Sequence, residues 1–334
     1  EIAAWLGIGE GEPVGMAGRC AGPLKDLPAE TREDLLRQAA QVRLQRKAAQ
    51  FVARARQAGW EQALWEGLFA ALGYKHNAWP MRCLAELIPR LENETAAPEP
   101  LARWQSRLLG LSGLLPFEWE RSAGTNDYWR ALWDIWWRER EELAAALLPG
   151  NLWRLHGIRP ANHPQRRLAL AAAWIARDDL PDQLERWLDQ SAGEKEQAET
   201  LLKVLNMPAG EFWASHWTFR SRPMPAPQPL LGVQRVTDLA VNVVLPWFWS
   251  RAMAGKNDAV RQRVERAYFS WPAGEDNAVL KLARHRLLGG VTAKLPKTAA
   301  IQQGLIQITR DFCDHADATC AGCRFPELVR QIGG

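Results

Sequence analysis

From residue 29 to residue 313 the apolar residues of this chain recur every three or four positions, and no stretch shows convincing alternation. A period near 3.6 buries one stripe of an α-helix, whereas a half-buried strand needs a period of two. The spacing predicts an all-α, multi-helix fold of two to three packed helical subdomains. Leu44, Ala48, Phe51, Val52 and Ala55 share one face of a helix over 29–57. Leu64, Leu68 and Leu72 follow at intervals of four, with Gly73 as the C-cap. Pro80 suits the first turn of the next helix, which ends before Pro89. Further helices are expected near 101–114 and 126–147, from Pro164 behind a cap at Asn162 or His163, and from Pro181. The rest fall over 236–252, 256–269, 276–287 and 297–313. One short hairpin could hide in a loop.

Prolines and glycines set the organisation. SRPMPAPQP at 221–229 is the clearest break, and TAAPEP at 95–100 reads as a linker. The expected division is a flexible N-terminal segment over 1–28 carrying Cys20, a helical region over 29–222, and a C-terminal helical region over 223–334 packed with it. A hydrophobic content of 47% over 334 residues is enough for a large core. The longest apolar run, LALAAAWIA at 168–176, is well short of the roughly 18–20 residues a membrane helix needs. No basic region precedes an apolar leader. Five cysteines gathered toward one end argue against a secreted disulfide framework and for a reducing cytoplasm, with no membrane partner.

Three cysteines stand in DFCDHADATCAGCRF with the spacing C-x6-C-x2-C: Cys313, Cys320 and Cys323. Ile301, Leu305, Ile308 and Phe312 form a helix stripe that delivers Cys313 at a docked helix end. A two-residue gap lets both following thiolates turn toward one ion. A fourth ligand is offered by Cys20, or by His315 in a Cys3His zinc site. Cys83 falls inside a helical pattern and reads as a buried thiol. The spacing resembles the iron–sulfur loop of endonuclease III-type glycosylases, but Val329 stands at the fourth position. One distant upstream cysteine with three near the C-terminus resembles the layout of some iron–sulfur nucleases. The expectation is a structural centre, a [4Fe–4S] cluster or zinc, on Cys20, Cys313, Cys320 and Cys323; the bland reading is unligated thiols.

A net charge of +4 hides segregation. Residues 35–60 carry Arg37, Arg43, Arg46, Lys47, Arg54 and Arg56 without an acid, and residues 143–177 carry Arg154, Arg159, Arg166, Arg167 and Arg177 without one. Residues 277–310 are a third such window. Convergence of these windows would build a groove for phosphates. RPANHPQRR at 159–167 enters a helix N-terminus, which favours anions. Candidate nucleic-acid contacts are Arg43, Lys47, Arg54, Arg159, Asn162, Arg166 and Arg167. Against this, Asn162 and His163 can be mere caps and Arg159 a tie between loops. Trp129, Trp133, Trp136 and Trp137 fall on one helix face, where aromatic residues are usually core.

Five stretches stand out in order: GWEQALWEGLFAALGYKHN (59–77), LLGLSGLLP (108–116), RPANHPQRRLALAA (159–172), VNVVLPWF (241–248) and QQGLIQITRDFC with its trailing C-x2-C (302–323). Together they resemble an uncharacterised bacterial family, domain-of-unknown-function family 2851. Members carry an upstream portion that looks like a magnesium-dependent nuclease core, and nothing here matches it. The resemblance implies a helical part without catalysis of its own.

Nucleophile elbow, Walker and HExxH patterns are absent. The spaced glycines of LGIGEGEP at 6–13 follow no strand, and Asp178–Asp179 sits in a polar helix start. No catalytic residue is named. The sequence reading is a non-catalytic nucleic-acid-binding or nuclease-accessory helical module with a structural Cys-ligated metal centre. Its partners would be DNA or RNA and a nuclease-like domain or subunit. A protein-interaction scaffold with structural zinc is the second reading, and an unrecognised magnesium-dependent nuclease or other enzyme the third.

Overall fold

The computed structural model describes residues 17–92, 99–116, 126–190, 194–289, 295–314 and 320–333. These residues are all-α: helices joined by loops, with a single isolated antiparallel bridge between Pro272 and Thr298 in place of any hairpin. The motif at 6–13 lies outside the described residues. Contacts divide the chain into two compact units, one made of Glu1–Ala48 and Glu265–Gly334, the other of Ala49–Val264.

The unit built from the two ends contains the helices Ala21–Asp26, Ala278–Leu288, Ala299–Ile308 and Phe325–Gly333, with the first part of Ala29–Ala58. Their core joins Leu24, Leu27, Leu36, Leu280, Leu287, Ile301, Leu305, Ile308, Phe325 and Val329. The Ile301–Leu305–Ile308 stripe seen in the sequence is the inner face of Ala299–Ile308. That helix starts at Thr298, whose side chain accepts from the Ile301 N–H, as a cap does for an orphan donor. It passes into a π turn, Thr309–Cys313. Phe312 lies 4.8 Å from Phe325, ring centre to ring centre. Gly304 faces Leu36, and a Cβ there would stand 2.1 Å from the Leu36 carbonyl oxygen.

In the Ala49–Val264 unit, Trp60–Leu72 packs along Tyr74–Ala85, and Pro100–Leu111 lies between Asn126–Leu143 and Pro164–Ala176. Leu64, Leu68 and Leu72 are buried as their spacing requires. Gly73 does follow the first helix, but with φ −73, and it is Tyr74 that takes a positive φ of 55. Glycine is needed at 73 because a Cβ would meet the Asn77 carbonyl oxygen at 2.2 Å. The next helix therefore begins at Tyr74, six residues before Pro80, which sits in its interior. Pro80 lacks the N–H that would bond the His76 carbonyl. Packing of Asn77, Met81 and Leu84 outweighs that loss.

The tryptophan stripe of Asn126–Leu143 divides. Trp136 is buried against Gly110, where a Cβ would stand 2.4 Å from the indole, whereas Trp137 is 57% exposed beneath the Arg140 guanidinium. Trp129 and Trp133 both donate to the Pro116 carbonyl, at 3.1 and 2.6 Å. Adding a methyl group at Gly110 drives into a rigid ring. Gly110→Ala is expected to cost about 1–2 kcal/mol, read as a lower urea midpoint with an unchanged slope.

Candidate functional site

The stretch RPANHPQRR folds as a loop with one short turn, Pro160–Asn162, before the helix Pro164–Ala176. Pro164 opens that helix and His163 caps it, its ring nitrogen Nδ1 accepting from the Gln165 N–H at 3.4 Å. The two arginines that follow are structural. Arg166 is 1% exposed and donates to the carbonyls of Trp213, Gln228 and Pro229 at 3.1, 2.7 and 3.3 Å. Arg167, 4% exposed, donates to the Leu230 carbonyl, the Asn162 side chain and the Tyr74 hydroxyl. Burial lowers both guanidinium pKa values, that of Arg166 to about 10, with the charge of Arg167 adding to the effect at Arg166. Both remain cations at neutral pH and staple the proline-rich segment to the helix. Neither presents its donors to solvent.

The same loop is clasped to the start of Tyr74–Ala85. The Asn77 amide donates to the Arg154 carbonyl at 3.0 Å and accepts from the Arg154 N–H at 2.8 Å. The Tyr74 hydroxyl bonds the Asn162 side chain, and the Arg235 guanidinium lies 3.3 Å from the Tyr74 ring centre. This clasp places two short segments side by side. Their outward residues are Lys75, His76 and Trp79 from the helix, and Arg154, His156 and Arg159 from the loop, all exposed. Trp79 is 55% exposed. Residues 67–85 and 143–177 contain no Asp or Glu. The five basic side chains make no ion pair among the described residues.

The other expected phosphate contacts are engaged elsewhere. Arg54 forks onto Glu66, with Nε 2.8 Å from both carboxylate oxygens. Glu66 is buried and also accepts from Gln62. Arg43 bonds the Gln303 side chain within the unit formed by the chain ends, and burial lowers its pKa. Lys47 lies half-buried on the same helix. In that unit Arg46 pairs with Asp311 and Arg284 with Asp276, so acids outside the basic windows answer part of their charge.

The cysteines correct the sequence reading. Among the described residues no group of three or more His, Cys, Asp or Glu is placed to hold a metal ion. The Cys-rich metal-binding loop, the [4Fe–4S] cluster, the zinc alternative and the structural metal centre in the functional reading all fall with it. His315 lies outside the described residues. Cys20 is a buried member of the apolar core, with Cys313 and Cys323 packed against its edge, and Cys320 is buried as well. Burial, followed by the neighbouring Cys313, pushes the Cys20 thiol up to about 12. A thiol ligates as the thiolate, and this setting holds the proton on.

His163 gives a pH test of the loop. Burial lowers its pKa from 6.5 to about 4. Above pH 6.5 the ring is neutral in both the folded and the unfolded chain. Between pH 6.5 and 4 the unfolded chain takes up the proton and the folded one resists, so stability is lost as pH falls through that window. The ring also lines an open cleft of about 690 Å³ with Leu114, Trp133 and Trp136, so solvent screens part of the shift. The expected loss is about 2 kcal/mol. Urea midpoints at pH 7.5 and 4.5 read it, and His163→Asn, which keeps a capping acceptor, should flatten the dependence.

Lys75, His76 and Trp79 were not named from sequence. Their signal was the acid-free run 67–85 beside an aromatic residue, hidden once the helix was placed from Pro80 onward.

The fold and this surface define an all-helical domain with an exposed basic and aromatic face. Residues 16–277 match the family described as "Protein of unknown function (DUF2851)", and the chain belongs to it. No curated protein and no solved structure gives a significant match. No described helix is long and apolar enough to cross a membrane.

Proposed function

We propose that the Ala49–Val264 unit binds single-stranded nucleic acid on the face formed by Lys75, His76, Trp79, Arg154, His156 and Arg159. The observation that supports it is the Asn77–Arg154 clasp, which sets exposed cations from two acid-free segments beside an exposed indole. Cations track a phosphate backbone, and an indole stacks a base without regard to its identity. Of the contacts read from sequence, Arg159 belongs to this face. Asn162 and Arg167 bond Tyr74 beside it, Arg166 ties the proline-rich segment to its helix instead, and neither metal nor catalysis is part of the reading.

Fluorescence anisotropy with labelled single-stranded DNA and RNA tests it. With the three cations Lys75, Arg154 and Arg159 in contact, affinity should fall roughly twentyfold between 50 and 200 mM salt. Trp79→Ala should weaken binding by about 1–3 kcal/mol. The double variant Lys75→Glu, Arg159→Glu should reduce the salt dependence along with the affinity. Binding that ignores both salt and these substitutions would sink the proposal.

A further inference from the structure

Four of the five cysteines gather in the unit formed by the chain ends. Cys20 immediately precedes Ala21–Asp26, and its Sγ lies 3.9 Å from the Arg286 carbonyl. The Cys20 and Cys320 sulfurs both lie within 4 Å of the point where a side chain on Gly18 would begin. Gly18 itself donates its N–H to the Arg286 carbonyl at 2.7 Å, and a Cβ there would stand 2.8 Å from the same oxygen. Glycine is thus what lets the first segment come this close.

Cys320 and Cys323 bracket a turn. The Cys323 N–H donates to the Cys320 carbonyl at 3.3 Å, with Gly322 at φ +71 between them. Such a four-residue turn holds its end Cα atoms within about 7 Å, and disulfides bridge Cα separations of roughly 4.4–6.8 Å. Cys320 is held at φ +57, a conformation uncommon for a residue with a side chain, and its thiol is buried. Cys323 is half-buried and reaches solvent. The pair therefore has one entering thiol and one resolving thiol. Cys20 and Cys313 do not compete, since burial raises both above the ordinary thiol value.

We propose that Cys320 and Cys323 form a reversible disulfide by exchange with a small soluble disulfide such as glutathione disulfide. The Cys323 thiolate attacks one sulfur of the reagent and expels one glutathione thiolate. Cys320 gives its proton to solvent, and its thiolate attacks the Cys323 sulfur of the mixed disulfide, expelling the second glutathione. Two cysteine thiols are oxidised and one glutathione disulfide is reduced to two thiols. The covalent turn adjoins Phe325–Gly333, the helix that packs on Ala21–Asp26, so its redox state bears on how the two ends of the chain hold together.

The full chain, equilibrated over a series of glutathione redox buffers, acid-quenched, alkylated and digested with trypsin, provides the test. All three C-terminal cysteines fall in the one peptide Asp311–Arg324. The expected product is that peptide lighter by two hydrogens, alkylated at Cys313, with Cys20 and Cys83 alkylated as well, and with all five thiols restored by reducing buffer. Cys320→Ser should trap one glutathione on Cys323, and Cys323→Ser should abolish oxidation. Five alkylated cysteines at every ratio would overturn the proposal. So would a cross-link from Cys20 or Cys313, or oxidation that appears only in denaturant.

Discussion

Arg166→Met is expected to lower the stability of the Ala49–Val264 unit by about 3–4 kcal/mol, a fall in Tm of roughly 10 °C. Methionine fills much of the volume, so packing is nearly kept. The loss is in the donors. Three carbonyls lose an arginine N–H, that of Trp213 in a buried bond and those of Gln228 and Pro229 in part-buried ones. Each buried acceptor left without a donor costs about 1–3 kcal/mol, and the relief of a desolvated cation returns part of the sum. Arg166→Lys should recover little, because one ammonium cannot serve carbonyls that the flat guanidinium reaches from two edges. Thermal melting of the three chains checks the order. Equal melting temperatures for wild type and Arg166→Met would mean that the proline-rich segment holds itself.

The second large effect is at Gly304. In an open helix, alanine for glycine adds about 1 kcal/mol of stability. At Gly304 the sign reverses. The new Cβ would stand 2.1 Å from the Leu36 oxygen and 2.9 Å from the Leu36 carbonyl carbon, and both are backbone atoms with no rotamer to yield. The helices must separate, and Gly304→Ala is expected to cost about 3 kcal/mol. Gly22 is the counterpart, also in a helix of this unit, where an added Cβ meets nothing within 4 Å. Gly22→Ala should leave stability unchanged or raise it by a few tenths of a kcal/mol. Denaturant melts of both variants, in which only Gly304→Ala shifts downward, carry the test. A neutral Gly304→Ala would mean that the crossing has slack.

Helix existence was legible because periodicity reports one face of one element, and Leu64, Leu68, Leu72, Ile301, Leu305 and Ile308 all lie where their spacing put them. The start at Tyr74 was not, because it depends on a glycine pressed against the Asn77 carbonyl, a contact without a local signature. Arg166 and Arg167 read as anion contacts because the chain shows their charge and hides their burial. Their backbone acceptors, Trp213, Gln228, Pro229 and Leu230, lie 47–63 residues away, around the proline-rich segment. Arg54 likewise meets an acid, Glu66, across a helix boundary. The cysteine spacing was read as a metal-binding loop, and that reading failed. Spacing alone could not tell convergence on an ion from thiols taken into an apolar core. Lys75, His76 and Trp79 became visible only once the Asn77 clasp showed which loop they stand beside.

The unit that holds Cys20, Leu36 and Gly304 is drawn from residues before 49 and after 264. Its long-range contacts close a loop over all the residues between, and closure of that kind is slow to form even where its equilibrium cost grows gently with length. On the ribosome the residues before 49 wait for their partners until the residues after 264 have been made. During that wait the Leu36 and Leu44 stripe of the Ala29–Ala58 helix lacks the residues after 264 that cover it, while residues 49–264 form their own compact unit. Synthesis order therefore lets this unit mature only after residues 49–264 have been made, and a chain cut short within residues 265–334 leaves the Leu36 stripe without its cover.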